Sequence, residues 1–215
     1  MSGVESLYPF LYSGVSDVDA VLAEVCRSTA EKTAEITRLR GEVLELYRDR
    51  LAECGTAMAR SFAAGGRLFT FGNGGSSTDA QAVAELFQNP GPAGRPLPAT
   101  ALTTDVAVLS ALANDVSFDV VFARPLAANG HAGDIALGLS TSGGSANVLR
   151  GFDEAARRGM LTIGLAGYDG GKMAETDSIE HLFVMPSSSV HRIQEAQTTT
   201  YHVLWELTQV ALGQS

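Results

Sequence analysis

The stretch that decides the fold of this 215-residue chain is Ala136-Leu-Gly-Leu-Ser140-Thr-Ser-Gly-Gly-Ser145-Ala-Asn-Val-Leu149. The apolar run from Ile135 to Leu139 is typical of a strand that is covered on both faces. From Ala146 to Arg158, apolar residues recur at helical spacing. The stretch therefore predicts a buried strand, a tight turn and then a helix.

The predicted turn combines hydroxyl side chains with glycines, in the order Ser140, Thr141, Ser142, Gly143, Gly144 and Ser145. Glycine allows the backbone to approach a ligand closely. The start of the following helix presents unpaired N–H groups and the positive end of the helix dipole. We therefore expect an anion to bind at this turn. The alternative is that Ser145 only caps the helix and the other residues only form the turn.

The composition describes an ordinary globular protein, with 45% hydrophobic and 18% charged residues. The formal net charge of −9 argues against nucleic acid or an anionic membrane as a partner, because no basic surface would neutralise the phosphates. Cys26 and Cys54 are too few for a disulfide framework. No apolar run reaches membrane length and no leader pattern is visible, so a cytoplasmic location is expected.

The first 64 residues read differently from the rest of the chain. Residues 1–14 hold an aromatic arm that includes Tyr8 and Phe10. From about Val18 to Ala64 the pattern is that of long amphipathic helices, broken once or twice, and Gly65-Gly66 ends them. Such helices cover a sheet or pack on another subunit. We therefore expect an N-terminal oligomerisation segment at 1–64 and a compact α/β domain at 65–215.

Within that domain, strands and helices alternate, which predicts a parallel sheet. Strands are expected at 67–71, 99–102, 135–139, 161–166 and 182–185, and helical segments at 78–88, 106–113, 118–128, 146–158 and 192–212. A second glycine-rich turn, Gly72-Asn-Gly-Gly-Ser-Ser77, follows the first strand. Ligands of open α/β sheets bind at the carboxyl ends of the strands, where both turns should lie.

The common nucleotide and hydrolase motifs are absent. The turn Gly72–Ser77 has serine where a dinucleotide fingerprint needs its third glycine. Gly170-Gly-Lys-Met173 lacks the first glycine of a P-loop and its Ser/Thr. No Gly-x-Ser-x-Gly elbow occurs. Hydroxyls and backbone amides without a magnesium ligand suit the phosphate monoester of a small organic molecule.

Four motifs occur in a familiar order: Gly72-Asn-Gly-Gly-Ser76, Ser140-Thr-Ser-Gly143 with Ser145, Gly170-Gly-Lys-Met173 and Arg192-Ile-Gln-Glu195. From about Leu51 onward the chain resembles the sugar isomerase (SIS) domain proteins, most closely the phosphoheptose isomerases. The resemblance implies a three-layer αβα sandwich with a central parallel sheet, and a homotetramer with shared active sites. It also implies interconversion of sedoheptulose 7-phosphate and D-glycero-D-manno-heptose 7-phosphate.

The resemblance also carries site residues over to this chain. It implies that the substrate, and above all its phosphate, is bound by Asn73, Gly74, Ser76, Asp115, Ser140, Thr141, Ser142, Ser145 and Gln194. Family isomerases hold zinc through a His and a Glu on the helix after the first turn, and through a Gln and a His on the last helix. The last pair is present as Gln194 and His202, which would be the ligands of any bound metal. Ala82 and Leu86 replace the first pair, so we expect no family-type zinc.

Isomerisation through an enediol needs a base for the carbon-bound proton and an acid at the oxygens. We expect His202 to fill this role, because an imidazole changes charge near neutral pH. Glu85 is the one nearby carboxylate on the helix after the first turn, and it would have to point inward. The alternative is a non-catalytic SIS protein that binds a sugar phosphate or a protein partner. One relative of the family binds the bacterial replication initiator.

Overall fold

The computed structural model describes residues 18–213, except for the side chain of Ala93, so the predicted aromatic arm at 1–14 lies outside the described residues. The helices are α1 (Val18–Ala63), α2 (Gly75–Gln88), α3 (Val106–Asp115), α4 (Ala123–Asn129), α5 (Ala146–Arg157) and α6 (Val190–Gly213). The strands are β1 (Leu68–Gly72), β2 (Ala99–Ala101), β3 (Ile135–Ser140), β4 (Leu161–Gly167) and β5 (His181–Met185). Within residues 18–213, no helix combines the length and the apolar character needed to cross a membrane.

The five strands form one parallel sheet in the order β2-β1-β3-β4-β5. Every residue of β1 and β3 is buried, as expected for strands that are covered on both faces. The strand order reverses between β1 and β3, and such a switch point is where open α/β sheets bind their ligands. The predicted α/β sandwich with a central parallel sheet is confirmed.

Three phenylalanines form the centre of the core on one face of the sheet. The ring of Phe71 lies 5.4 Å from that of Phe122 and 5.2 Å from that of Phe152, measured between centroids. Gly138 makes room for two of them, because a Cβ there would lie 2.5 Å from Phe152 and 2.7 Å from Phe71. The glycine within the apolar run of β3 therefore serves packing.

The predicted breaks in the N-terminal helices are wrong, because residues Val18–Ala63 form one continuous helix. This segment contains no proline, and its glycines Gly41 and Gly55 are tolerated within the helix. The described residues divide into two compact units, 18–38 and 39–213.

The second unit includes the C-terminal part of α1, which lies within the predicted N-terminal segment 1–64. Leu51, Met58 and Phe62 are buried in this unit, and Phe62 stacks on Phe87 at 5.8 Å. The backbone N–H of Val184 in the edge strand β5 donates to the Tyr47 hydroxyl at 3.1 Å. These contacts bury an apolar face of α1 and give a hydrogen-bond partner to a backbone N–H of the edge strand. They explain why residues 39–63 belong to the α/β unit.

Element boundaries differ from the predictions where polar groups or proline interrupt a pattern. The predicted helical stretch at 118–128 consists of a 3₁₀ turn, Phe118–Val120, followed by α4. The Ser117 hydroxyl accepts from the Asp119 N–H at 3.1 Å and starts the 3₁₀ turn. Pro125 lies in the first turn of α4, where its missing N–H costs no helical hydrogen bond.

Gly138 and Gly41 provide a matched pair of glycine-to-alanine substitutions. We expect Gly138→Ala to lower the free energy of unfolding by about 1–3 kcal/mol, because a methyl group would overpack the phenylalanine core. Gly41→Ala should raise it by about 0.5–1 kcal/mol, because Gly41 lies within α1 and a Cβ there meets no atom within 4 Å. Urea unfolding followed by circular dichroism measures both. Equal stability of the two variants would contradict the packing described for β3.

Candidate functional site

The two glycine-rich turns lie side by side at the carboxyl edge of the sheet. The last residue of β1, Gly72, is in register with Leu139 of β3, so both turns begin at the same level. Each turn leads directly into a helix, α2 or α5. The starts of two helices therefore flank the switch point of the sheet, an arrangement suited to an anionic ligand.

A pair of asparagine amides joins the two turns. The Asn73 side-chain N–H donates to Oδ1 of Asn147 at 2.8 Å, and the Asn147 N–H donates back to Oδ1 of Asn73 at 2.8 Å. Asn147 is only 3% exposed, and its Oδ1 also accepts from the Val148 N–H. Asn73 was a predicted site residue, whereas Asn147 was not recognised from the sequence. Its only signal was a polar residue at a core-facing position of α5.

The hydroxyls of the second turn are arranged for a ligand. Ser145 occupies the N-cap position of α5, but within this described helix its hydroxyl caps no backbone N–H. It lies instead 3.3 Å from the hydroxyl of buried Ser140. The exposed Ser142 hydroxyl accepts from the Gly144 N–H at 3.3 Å, and Thr141 is half-buried. The geometry therefore favours a hydroxyl cluster at a helix start over a simple cap.

The motif Gly170–Met173 supports this turn from the adjacent loop. Gly143 has φ +62°, and a Cβ there would lie 1.9 Å from the Gly170 carbonyl oxygen. The Met173 N–H donates to the Gly143 carbonyl at 2.9 Å. A Cβ on Gly171 would lie 2.4 Å from the Ser142 carbonyl oxygen. The glycines of the third motif therefore allow two loops to pack backbone against backbone.

The first turn meets the start of α6 through Gln194. A Cβ on Gly75 would lie 2.2 Å from the Gln194 amide nitrogen, so a larger residue at this position would displace the Gln194 side chain. Beside this contact is an open hollow of about 400 Å³, lined by Gly75, Thr78, Asp79, His191, Gln194, Glu195 and Thr198. Gln194 was a predicted site residue, whereas Asp79 was not recognised from the sequence. Burial raises the pKa of the Asp79 carboxyl, although a hydrogen bond from Gln194 acts in the opposite direction.

Two further predicted residues of the first turn, Gly74 and Ser76, determine the path of its backbone. Gly74 has φ +56° and is the N-cap of α2, which is a conformation that favours glycine. Ser76 is 4% exposed, and its N–H donates to the Asn73 carbonyl at 3.0 Å. Both residues therefore lie in the predicted turn, and they shape the backbone around Asn73.

Three further predicted site residues are exposed. Glu85 is exposed, accepts from Asn89 at 3.0 Å, and borders a separate hollow of about 530 Å³ next to β2. Asp115 is exposed at the end of α3, where its Oδ1 accepts from the Asn114 amide at 2.7 Å. His202 is exposed and stacks on Tyr201 at 5.2 Å. Eight residues separate it from Gln194, about 12 Å along α6.

The residues of one chain do not fit the zinc site that the resemblance implies. Ala82 and Leu86 offer no lone pair, and Gln194 and His202 are two helical turns apart. Among residues 18–213, no three His, Cys, Asp or Glu side chains cluster closely enough to hold a metal ion. A catalytic zinc site has three protein ligands, and this chain retains only two of the family's four ligand positions, Gln194 and His202.

The paired turns on a parallel sheet define a class of protein. The sequence profile described as the SIS domain matches residues 33–167. The phosphoheptose isomerase of Halorhodospira halophila is 43% identical over 172 residues, which cover 79% of this chain and 87% of that protein. That of Aquifex aeolicus is 41% identical over 184 residues, which cover 83% of this chain and 95% of the relative.

Solved structures agree with these relatives. The phosphoheptose isomerase of Neisseria gonorrhoeae superposes with a TM-score of 0.79 at 34% identity, over 86% of this chain and 99% of that chain. The enzyme of Francisella tularensis superposes with a TM-score of 0.78 at 29% identity, over 91% of this chain and all of that chain. The chain belongs to the phosphoheptose isomerase family of SIS domain proteins.

The Asn73–Asn147 pair can be tested by a double-mutant cycle. Either single alanine substitution should lower the free energy of unfolding by about 1–3 kcal/mol, because it leaves the other amide buried without its partner. The double variant should lose about 0.5–3 kcal/mol less than the sum of the two single losses. Asn129→Ala is an exposed control that should change stability by less than about 0.5 kcal/mol. Strict additivity in urea unfolding would contradict the pairing.

Proposed function

We propose that this protein binds sedoheptulose 7-phosphate and isomerises it to D-glycero-D-manno-heptose 7-phosphate. The observation that carries the proposal is the Ser140–Ser145 hydroxyl pair at the start of α5, beside the switch point of the sheet. The relatives named phosphoheptose isomerases support the same substrate class. The phosphate is held by hydroxyls, backbone N–H groups and the helix dipole, without a lysine or a metal.

The sugar extends from the phosphate turn toward the hollow beside Gln194. The residues that line this hollow include Thr78, Asp79 and Thr198, whose polar side chains suit a ligand rich in hydroxyls. An enediol route then needs one group that takes the carbon-bound proton and returns it to the neighbouring carbon. We assign this proton transfer to His202, which changes charge near neutral pH as histidine does generally.

His202 lies about 12 Å along α6 from Gln194, so it serves the site of a neighbouring copy. We therefore propose a homo-oligomer, most simply a tetramer, in which subunits share sites. Apolar side chains on α1 remain exposed within each unit: Val18, Val21, Leu22 and Val25 in the first unit, and Leu44 and Leu46 in the second. Burial of such side chains between copies is the expected source of the association energy.

The second candidate function is a sugar-phosphate-binding protein without turnover. It is favoured by Ala82 and Leu86, which stand where the family isomerases carry their His and Glu. Both candidate functions use the phosphate turn, and they differ in the role of His202. A variant of His202, compared with a variant of the phosphate turn, therefore separates the two functions.

The phosphate turn is tested by the double substitution Ser142→Ala and Ser145→Ala. We expect it to abolish the rise in melting temperature that sedoheptulose 7-phosphate causes, because two hydroxyl ligands are lost while the fold remains. Ser110→Ala, an exposed serine of α3, serves as the control and should keep the full rise. An unchanged ligand-induced shift in the double variant would place the phosphate elsewhere.

The catalytic assignment is tested by His202→Ala. Loss of a positioned acid/base should lower the rate of heptose phosphate formation by about 10²–10⁴-fold while leaving phosphate binding intact. His131→Ala is the matched control, because His131 is exposed and lies beside Arg67 and Asp134 at the other edge of the sheet. A metal chelator should leave the wild-type rate nearly unchanged. Loss of activity on chelation, with recovery on addition of zinc, would show that zinc is needed.

The oligomer is tested by light scattering of the purified chain at micromolar concentration. We expect a mass near four times 22.5 kDa. The reason is that each proposed site contains residues of two copies, and that association would bury the exposed apolar side chains of α1. Leu22→Glu together with Val25→Glu should shift the mass downward. A monomeric wild-type chain would contradict both the tetramer and the shared site.

A further inference from the structure

A pocket of about 430 Å³ lies between the edge strand β2 and the helices α3 and α4. No residue of the two glycine-rich turns lines it. Its volume is within the usual range of small-molecule sites, which is about 300–1,000 Å³. The proposed isomerisation gives this pocket no role, so it is a candidate site for a second ligand.

The walls of this pocket are mainly apolar, and Leu102, Val108, Leu112 and Pro125 are among the residues that line it. Leu102 and Leu112 are partly buried and pack against the phenylalanine core, so one wall belongs to the core of the fold. Val108 is 44% exposed. Helix α3 consists largely of alanine, valine and leucine, yet no residue of this described helix is buried. A ligand with an apolar body would remove this surface from water, which is favourable.

The cation at this pocket is Arg124, in the first turn of α4. Its side chain is exposed, and within residues 18–213 its guanidinium makes no hydrogen bond and no ion pair. A guanidinium presents its N–H donors in a planar fork that matches the two oxygens of a carboxylate. Arg124 is therefore available to bind the anionic group of a ligand whose apolar part fills the pocket.

The other charged side chain that lines the pocket is Asp105, the N-cap residue of α3. Its Oδ1 accepts from the Val108 N–H at 3.0 Å, so the carboxylate is held at the start of the helix. The pocket thus combines one unpaired cation with one fixed anion. Asp105 would repel a phosphate dianion more strongly than a monoanion. The charges therefore favour a carboxylate over a phosphate as the ligand group.

We propose that the pocket between β2, α3 and α4 binds a small organic carboxylate with an apolar body. The carboxylate pairs with Arg124, and the apolar body packs against Leu102, Val108 and Leu112. This site is additional to the phosphate turn, and it does not depend on the proposed isomerase activity.

Calorimetric titration of the full chain with 4-phenylbutyrate tests the proposal. We expect a dissociation constant on the order of a millimolar, which is usual for a ligand of about twelve non-hydrogen atoms. Arg124→Gln should weaken binding by about tenfold or more, because a charge-assisted, bidentate contact is lost. The neutral amide 4-phenylbutanamide should bind the wild-type chain more weakly for the same reason. Arg60→Gln, which changes an exposed arginine of α1 outside the pocket, is the matched control and should leave the affinity unchanged.

A second pair of variants tests the apolar wall. Val108→Glu should weaken binding of 4-phenylbutyrate, because it adds a negative charge beside the bound carboxylate. Val108→Gln has nearly the same shape without the charge and should bind more tightly than Val108→Glu. Position 108 is partly exposed, so both variants should keep the melting temperature of the wild-type chain. Equal affinities of the two variants would contradict the proposed position of the carboxylate.

The remaining outcomes are equally distinct. Unchanged affinity in Arg124→Gln, or equal binding of 4-phenylbutyrate and its neutral amide, would overturn the role of Arg124. Competition by inorganic phosphate, or loss of binding in the Ser142→Ala and Ser145→Ala double variant, would place the carboxylate at the phosphate turn and overturn the second site. Absence of binding to the wild-type chain would overturn it as well. If Val108→Glu then lowers the mass measured by light scattering, the occupant of the pocket is a second copy of the chain.

Discussion

The reciprocal hydrogen bonds between Asn73 and Asn147 are the constraint on which the site depends. They join the turn after β1 to the start of α5 after β3, across the point where the strand order reverses. The two neutral amides satisfy each other and add no net charge beside the starts of α2 and α5, where we propose that the phosphate binds.

Three close approaches of glycine complete this arrangement. Gly143 allows the second turn to contact the loop at Gly170, and Gly75 allows Gln194 to lie against the first turn. Gly138 lets the phenylalanine core reach the middle of β3. At Gly143 the close contact is with backbone, whereas at Gly75 and Gly138 it is with side chains. In each case a methyl group on the glycine would require its neighbours to move.

The strands and the two glycine-rich turns could be predicted from the sequence because both leave local signals. A strand that is buried on both faces is an apolar run, and the turns are clusters of glycines and hydroxyl residues between a strand and a helix. The continuity of α1 was missed, although its segment contains no proline and Gly55 within it packs closely against Leu207.

The contacts that organise the site could not be predicted from local sequence patterns. Asn147 pairs with a residue 74 positions distant in sequence, and Asp79 and Gln194 line the same hollow from two different helices, so only the folded chain brings these residues together. The position of Glu85 depends on the rotation of α2 about its axis, which sequence spacing gives only roughly. His202 lies eight residues beyond Gln194 on α6, and a single sequence does not show which residues of a second copy would complete the proposed site.

The central claim is that the phosphate of a heptose phosphate binds between these two turns without a metal. A crystal structure of the chain with sedoheptulose 7-phosphate, grown with a chelator, tests it most directly. We expect the phosphate to lie within hydrogen-bond distance of the Ser142 and Ser145 hydroxyls at the start of α5, and the sugar to extend toward Gln194. Phosphate bound elsewhere, for example in the hollow beside Glu85, would contradict it.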